Sequence, residues 1–376
     1  MNEKNLNKVL LLCSEFPPGP GGIGNHAWNL ARNLNYKVPV DVITKSDYIE
    51  KEESDRFDKL EDINIIRFNR YSLFIKTFLH RIFVVIKQIR KRKYTHYILS
   101  GFFSLTFSHI IKLIDDKVTI VGVLHGSELI QTNFIMKFVL RNSLKKLDVI
   151  ISVSNYTNQL IPIGIRNDQK NIIIPNGVNK DMLELKSSMN SPILCGEPCL
   201  LTVGSITDRK GQINLINALP IIKDKYPNVH YHCVGLPIDK KRLLKQADSL
   251  GVSKHITIHG FIRNNELVNV FKQADILIML SQSNSLSIAE GFGIAILEAN
   301  LFGVPALGSK KTGIEDAIIQ NETGILVNPY SSKEVLDGID LLLDKYAQFA
   351  KSAYEWSLQH TWPNISNRYL EAIIDD

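Results

Sequence analysis

Acidic residues are missing from a long stretch near the start of this chain, and cysteines and unbroken apolar runs are scarce throughout. The four cysteines (Cys13, Cys195, Cys199, Cys233) are too few and too scattered for a disulfide framework, which fits a reducing, cytoplasmic setting. Cys195 and Cys199 could open a metal site, but no second pair at ligand spacing follows them. The first apolar run, Val9 to Cys13, is far shorter than a secretory signal core and meets Pro17, Pro18 and glycines at once. No uncharged stretch reaches the length of a membrane-spanning helix. The nearest, residues 71–89, is broken by Lys76, Arg81 and Lys87.

What is present is the composition of a soluble globular protein, 44% apolar and 22% charged, in 376 residues. That is too long for one ordinary core and long enough for two domains. The net charge of +6 is unevenly placed. Residues 63–114 hold ten Lys and Arg and no Asp or Glu, leaving 34 basic against 38 acidic residues elsewhere, a balance of −4. The excess basicity belongs to one segment.

Short apolar runs alternate with helical patterns from end to end, the signature of strand–helix–strand units on a parallel sheet. Strands are expected at residues 9–13, 40–44, 63–68, 97–100, 119–124, 149–153 and 171–174, with a first helix over about 25–33. Residues 180–198 are polar and turn-rich and read as a linker. The scheme then repeats, with strands at 200–203, 229–234, 256–258, 276–280, 304–307 and 324–327, and Asn265 before Glu266 as a capped helix start. The expected fold is α/β, with two Rossmann-like doubly wound domains facing across a cleft. Open parallel sheets bind ligands beyond the carboxyl ends of their strands, so a shared substrate is expected there.

Gly19, Gly21 and Gly24 fit the dinucleotide pattern Gly-x-Gly-x-x-Gly, but Ser14 to Pro18 separate them from the first strand. The acid expected at the end of the second strand is missing as well, since Asp41 precedes Val42 and Ile43. The better reading is a Gly-Gly loop at a helix N-terminus, whose backbone amides can approach a phosphate or sugar, with a plain surface turn as the alternative. Further on, residues 204–211 read GSITDRKG after a strand. Arg209 and Lys210 there can neutralise a diphosphate leaving group, although alone the segment fits a solvated loop equally. Some eighty residues later Glu290 opens EGFGIAILE, ending at Glu298. Glu290 is expected before a helix whose first turn contains Gly291 and Gly293, so free amides and a carboxylate would meet an anion and sugar hydroxyls. Glu298, deeper in an apolar helix, needs partners: ribose hydroxyls, or a buried Lys or Arg.

Glu-x7-Glu in the form EGFGIAILEA, with the KG turn upstream, resembles the retaining glycosyltransferases of family 4. Other pieces stand in that family's order: GGIG at 21–24, HGSEL at 125–129, SVS at 152–154, PNGV at 175–178, TGIEDAI at 312–318 and TGILV at 323–327. The resemblance spans nearly the whole chain. It implies the GT-B fold, with an acceptor-binding domain over 1–179 and a nucleotide-sugar-binding domain over 180–355. A helix within 356–376 would cross back to the first domain. It also implies metal-independent, retaining transfer of a hexose or N-acetylhexosamine from a nucleoside-diphosphate sugar, the co-substrate, with no cofactor. The acceptor would be a glycan or lipid-linked glycan, as in bacterial surface polysaccharide or lipopolysaccharide synthesis.

Carried over residue by residue, Lys210 would bind the donor diphosphate, Glu290 the donor sugar and Glu298 the ribose. Gly22 would lie near the donor phosphates. Ser205, Arg209, Gly291, Phe292, Gly293 and Ile294 would complete the donor pocket. His125 would hydrogen-bond at the reacting sugar rather than act as general base, making His125, Lys210 and Glu290 the catalytic set. Outside that context, a lone His there reads as a packing or capping residue. Many family members have Arg where this chain has Ser205, and the loop over residues 281–289 is longer than the family's common form. No Asp-x-Asp occurs anywhere. His230 and His232 can share a strand face, with no third ligand evident in the sequence, and His255 and His259 flank a strand rather than a helix turn. No metal is expected.

Residues 67–93 interleave nine Lys and Arg with aromatic and aliphatic side chains. On a helix, Lys76, His80 and Arg81 fall near one face and Phe74, Phe78, Ile82 and Val85 near another. Such a helix suits peripheral contact with an anionic bilayer at the inner face of the plasma membrane, or a core helix with a solvated basic face. No nucleic-acid motif accompanies the charge. A sugar-nucleotide 2-epimerase-like isomerase is the rival function, since it shares the two-domain fold and the ligand.

Overall fold

The computed structural model describes residues 8–374 apart from 20, 46–50, 70, 92, 131–132, 186–190 and 283–289. It divides into two compact units, Met1–Gly177 with Trp362–Asp376, and Val178–Thr361.

In the first unit, strands β1 (Val9–Cys13), β2 (Val40–Lys45), β3 (Asn64–Phe68), β4 (His96–Ser100), β5 (Thr119–Leu124), β6 (Val149–Ser152) and β7 (Lys170–Ile173) alternate with helices. These are α1 (Gly22–Asn35), α2 (Lys51–Leu60), α3 (Phe74–Ile89), α4 (Phe102–Leu105), α5 (Ser108–Ile114), α6 (Phe134–Leu144), α7 (Asn155–Gln159) and α8 (Ile163–Asp168). The sheet runs β3-β2-β1-β4-β5-β6-β7, every pair parallel. Strands covered on both faces need continuous apolar runs, and β1, β4, β5 and β6 are buried along their whole length. Helix α1 starts earlier than its apolar pattern suggests, at Gly22, because Gly21 occupies the cap position with φ 153°.

One face of this sheet packs Leu10, Leu12 and Leu99 against Val85 and Ile89 of α3, Ile111 of α5 and Leu144 of α6. Here a sequence expectation fails. Arg81 does not share a solvent face with Lys76. It is 7% exposed, its guanidinium lies 5.2–5.5 Å from the ring centres of Phe68, Phe103 and Phe107, and it donates to Ser104 Oγ at 3.3 Å. Burial lowers its pKa to about 10, so it stays charged, and the faces of the three rings supply the attraction that water would otherwise give. Leu73, Ile75, Leu79 and Phe83 of the same segment face solvent instead.

Asp41 sits at the amino end of β2 and is held by Lys8 at 3.0 Å, Lys93 at 2.9 Å and Tyr94 at 2.6 Å. It is a structural ion-pair hub, far along the strand from where a ribose would bind. Helix α9 (Gln212–Lys225) and the later helices α10 (Lys240–Ser249), α11 (Asn264–Gln273), α12 (Ile294–Asn300), α13 (Ser332–Asp344) and α14 (Tyr346–Gln359) belong to the second unit, and α15 (Trp362–Ile374) returns to the first. There α15 lies on α1. Tyr369 OH and His26 Nε2 are 3.1 Å apart, and Trp362 sits so close to Gly177 that a Cβ there would come within 2.6 Å of the indole.

The second unit carries β8 (Cys199–Val203), β9 (His230–Val234), β10 (Ile256–Gly260), β11 (Ile276–Met279), β12 (Ala306–Ser309) and β13 (Gly324–Val327) in the order β10-β9-β8-β11-β12-β13, all parallel. Its core joins Leu200, Tyr231 and Ile278 to Leu215 and Leu219 of α9 and Ile339 of α13. Asn265 is not the cap of α11. The helix starts at Asn264 with extended Arg263 before it, and no side chain caps it.

Candidate active site

Each sheet reverses its strand order at one place, β1/β4 in the first and β8/β11 in the second. At such a switch point the connections leave in opposite directions and open a crevice beyond the strand ends. The residues singled out in the sequence gather at these two points.

In the second unit, β8 delivers the turn at 204–211 and β11 leads toward Glu290. Gly211, with φ 70°, lets the turn press onto β11. A Cβ there would fall 1.8 Å from the Leu280 carbonyl. Gln282 fastens the two connections, donating its backbone N–H to Arg209 O at 2.9 Å and its side-chain amide to Asp208 O at 3.0 Å. Lys210 runs back beside Gly204 and pairs with Glu290 Oε2, which Arg209 Nη1 also approaches at 3.3 Å. Arg209 therefore supplies a second positive charge to this carboxylate. Ser205 contributes its carbonyl, which accepts from Gln212 Nε2 at 3.2 Å.

Burial alone would raise the pKa of Glu290, but the Lys210 and Arg209 charges outweigh it and hold the carboxyl at about 2. Glu298, half-buried in α12, goes the other way. Burial lifts it to about 7, with the Lys210 charge opposing. Two carboxyls eight positions apart thus differ sharply in proton affinity.

The glycines before α12 lie outside the helix, not in its first turn. Gly293 caps it at φ 93°, and the helix starts at Ile294. Gly291 packs under the loop at Gly313, where a Cβ would come within 2.0 Å of Gly291 O, and Gly313 N–H donates to Glu290 O at 2.9 Å. Phe292 is buried at 1% exposure, anchoring the turn. Residues 283–289 of the long loop lie outside the described residues.

In the first unit, Gly22 is exposed at the start of α1, beyond the end of β1. His125 follows β5. Its Nε2 lies 3.0 Å from Ser100 Oγ at the end of β4, and its ring meets His26 edge-on at 4.8 Å. Burial holds its pKa near 4, so the ring is neutral at physiological pH. Glu128, 2% exposed, accepts from His125 N–H at 3.1 Å, and burial lifts its pKa to about 7. Sequence reasoning passed over Glu128 and His26. An acid three residues after a strand-ending His was the available signal for the first. His26 had none, because its partner Tyr369 is 343 positions away.

A sequence expectation is also incomplete at β9. His230 and His232 have Cys195 beside them, with one potential ligand atom from each lying within 4.8 Å of the others.

Two family models match successive parts of the chain: Glycosyltransferase Family 4 over residues 20–182, and Glycosyl transferases group 1 over residues 188–356. A GDP-mannose-dependent alpha-(1-6)-phosphatidylinositol monomannoside mannosyltransferase of Mycobacterium tuberculosis is 27% identical over 266 residues, which cover 67% of this chain and 68% of that protein. An uncharacterized glycosyltransferase of Methanocaldococcus jannaschii is 23% identical over 96% of both chains. Among solved structures, Anabaena HepE in complex with UDP and glucose aligns with a TM-score of 0.77 at 19% identity, covering 98% of this chain and all of HepE. The lipopolysaccharide outer core galactosyltransferase WaaB aligns at 0.72 and 17% identity, covering 98% of this chain and 99% of WaaB. At these identities the structural likeness is one of fold.

Proposed function

Because the chain belongs to the family 4 glycosyltransferases of GT-B fold, we propose that it moves a hexose or N-acetylhexosamine, with retention, from a nucleoside-diphosphate sugar to a glycan or lipid-linked glycan. One observation carries this reading. Lys210 and Arg209 converge on Glu290 across the switch point of the second sheet, beside the glycine turn that leads into α12. Two cations at one crevice suit a diphosphate whose charge grows as the glycosidic bond breaks, and a carboxylate held ionised suits the sugar hydroxyls. In the retaining reaction the diphosphate leaves and the acceptor hydroxyl attacks from the same face, with the departing oxygens taking its proton. His125, neutral down to about pH 4, is a poor general base at neutrality and a competent hydrogen-bond partner.

The test is a thermal-shift panel with UDP, GDP, ADP, dTDP and NAD in EDTA. A ligand at about 100 times its Kd adds roughly 2.7 kcal/mol of stability. Selective stabilisation by one nucleoside diphosphate is expected and names the donor class, which the relatives leave divided between a GDP-mannose-dependent enzyme and a UDP complex. Stabilisation by NAD alone overturns the reading.

A lipid-linked acceptor is supported by two exposed apolar patches on the first unit. Leu79 and Phe83 of α3 lie exposed near Lys76 and Lys87, and Phe134, Ile135 and Phe138 of α6 near Lys137 and Arg141. No helix among the described residues is long and apolar enough to cross a membrane. Apolar rings with flanking cations suit an anionic bilayer surface, each cation adding roughly 1 kcal/mol. The protein should therefore cosediment with phosphatidylglycerol vesicles and not with phosphatidylcholine ones. The double variant Phe134→Asp with Phe138→Asp should lose that binding. Equal sedimentation with both vesicles removes the membrane role.

A further inference from the structure

The edge of the second sheet carries a row of three imidazoles that the transfer chemistry does not use. On β9, Tyr231 and Cys233 enter the core beneath the helices, so His230 and His232 occupy the other face. Their ring centres lie 4.6 Å apart, and His259 of β10 continues the row at 5.1 Å from His232. His232 is 1% exposed and its Nδ1 sits 2.9 Å from His259 Nε2. Its Nε2 faces the segment that precedes β8, lying 4.0 Å from Cys195 Sγ.

That segment is shaped to pass over the histidines. Glu197 N–H donates to Asn228 O at 2.9 Å, and Gly196 has φ 113°. A Cβ at Gly196 would fall 2.6 Å from His230 Cβ and 2.7 Å from its backbone nitrogen. Only glycine permits this crossing, and the crossing is what sets Cys195 against the ring pair.

We propose that Cys195, His230 and His232 bind one Zn2+ ion. One thiolate and two imidazoles form a borderline-soft donor set suited to zinc, with solvent at the exposed Cys195 side providing the fourth ligand. Around tetrahedral zinc such atoms stand about 3.5 Å apart. The three atoms lie within 4.8 Å of one another, and closing on an ion exchanges the 2.9 Å contact of His232 Nε2 with the Cys195 carbonyl for a bond to the metal. Binding displaces one proton, from the Cys195 thiol. His259, on the far nitrogen of His232, orients that ring as second partners of metal-bound histidines do. His230 opens β9, whereas Lys210 and Glu290 lie beyond the carboxyl ends of β8 and β11. The ion therefore ties the incoming segment to the sheet edge and takes no part in transfer.

The test uses untagged full-length protein, stripped with EDTA and dialysed, then titrated with Co2+ and back-titrated with Zn2+. Cys13, Cys199 and Cys233 are buried, whereas Cys195 is exposed. A thiolate-to-cobalt charge-transfer band therefore reports Cys195. The expected result is saturation at one equivalent, with that band bleached by Zn2+, and a Zn2+-dependent rise in Tm. Cys195→Ser, at an exposed position, should keep the fold and lose both the band and the Tm rise. His259→Ala should keep the band and weaken Zn2+ binding about 10–100-fold. No saturation at one equivalent, or the same band in Cys195→Ser, overturns the proposal. Neither result bears on the nucleotide panel, which is run in EDTA.

Discussion

Glu290→Ala should abolish detectable glycosyl transfer, lowering kcat/KM at least about 10²–10³-fold, while leaving binding of the free nucleoside diphosphate no weaker than in the parent. The carboxylate is ionised at every working pH, since Lys210 and Arg209 hold it at about 2, and its backbone is pinned by Gly313. A fixed acceptor of this kind serves the sugar and not the nucleotide. Its removal frees Lys210 for the diphosphate, so affinity for the leaving group has no reason to fall. Glu290→Gln separates charge from shape, and it should retain nucleotide binding with little turnover. Calorimetry against the nucleotide and a donor-consumption assay decide the matter. Near-parental turnover in Glu290→Ala would remove this residue from the sugar site.

Lys210→Ala should weaken binding of the preferred nucleoside diphosphate by about 1.5–3 kcal/mol, the worth of a hydrogen bond to a charged group. Its side chain is 15% exposed, so little water competes for the contact, whereas Arg209, at 36%, should cost less on removal. Lys210→Arg is not expected to restore full affinity. The stem beside Gly204 has room for a slender ammonium chain, and a planar guanidinium fork makes different contacts. Unchanged affinity in Lys210→Ala would leave the diphosphate without this partner and shift attention to Arg209.

The strands were the most readable part of the chain. A strand covered on both faces has no polar side, so β1, β5 and β13 stand out as unbroken apolar runs. Their spatial order was not readable. It depends on which edge each crossover takes, and nothing local encodes that Lys210 and Glu290 would meet at the β8/β11 switch. The carboxylate and its cations were legible as chemistry because the glycine turns around them are local signals. Arg81 misled because its helical period matched Lys76, while the rings that enclose it come from Phe68, Phe103 and Phe107 on other elements. Asn265 misled for a related reason: a good capping residue sits one turn position inside a helix whose start no side chain caps. Cys195 was unreadable beside His232 because they are 37 positions apart and meet only through the bend at Gly196.

The return of α15 to the first unit has a consequence for how this protein is made. Residues 8–177 leave the ribosome with α1 uncovered, because Trp362 and Tyr369, which seat against Gly177 and His26, are still to be synthesised. At elongation speeds of about 5–20 residues per second, that interval is roughly 10–40 s. During it the second unit, continuous from Val178 to Thr361, emerges whole and can complete its fold first. The half of the molecule translated earlier is thus the half finished later, and chaperone demand should fall on its open α1 surface.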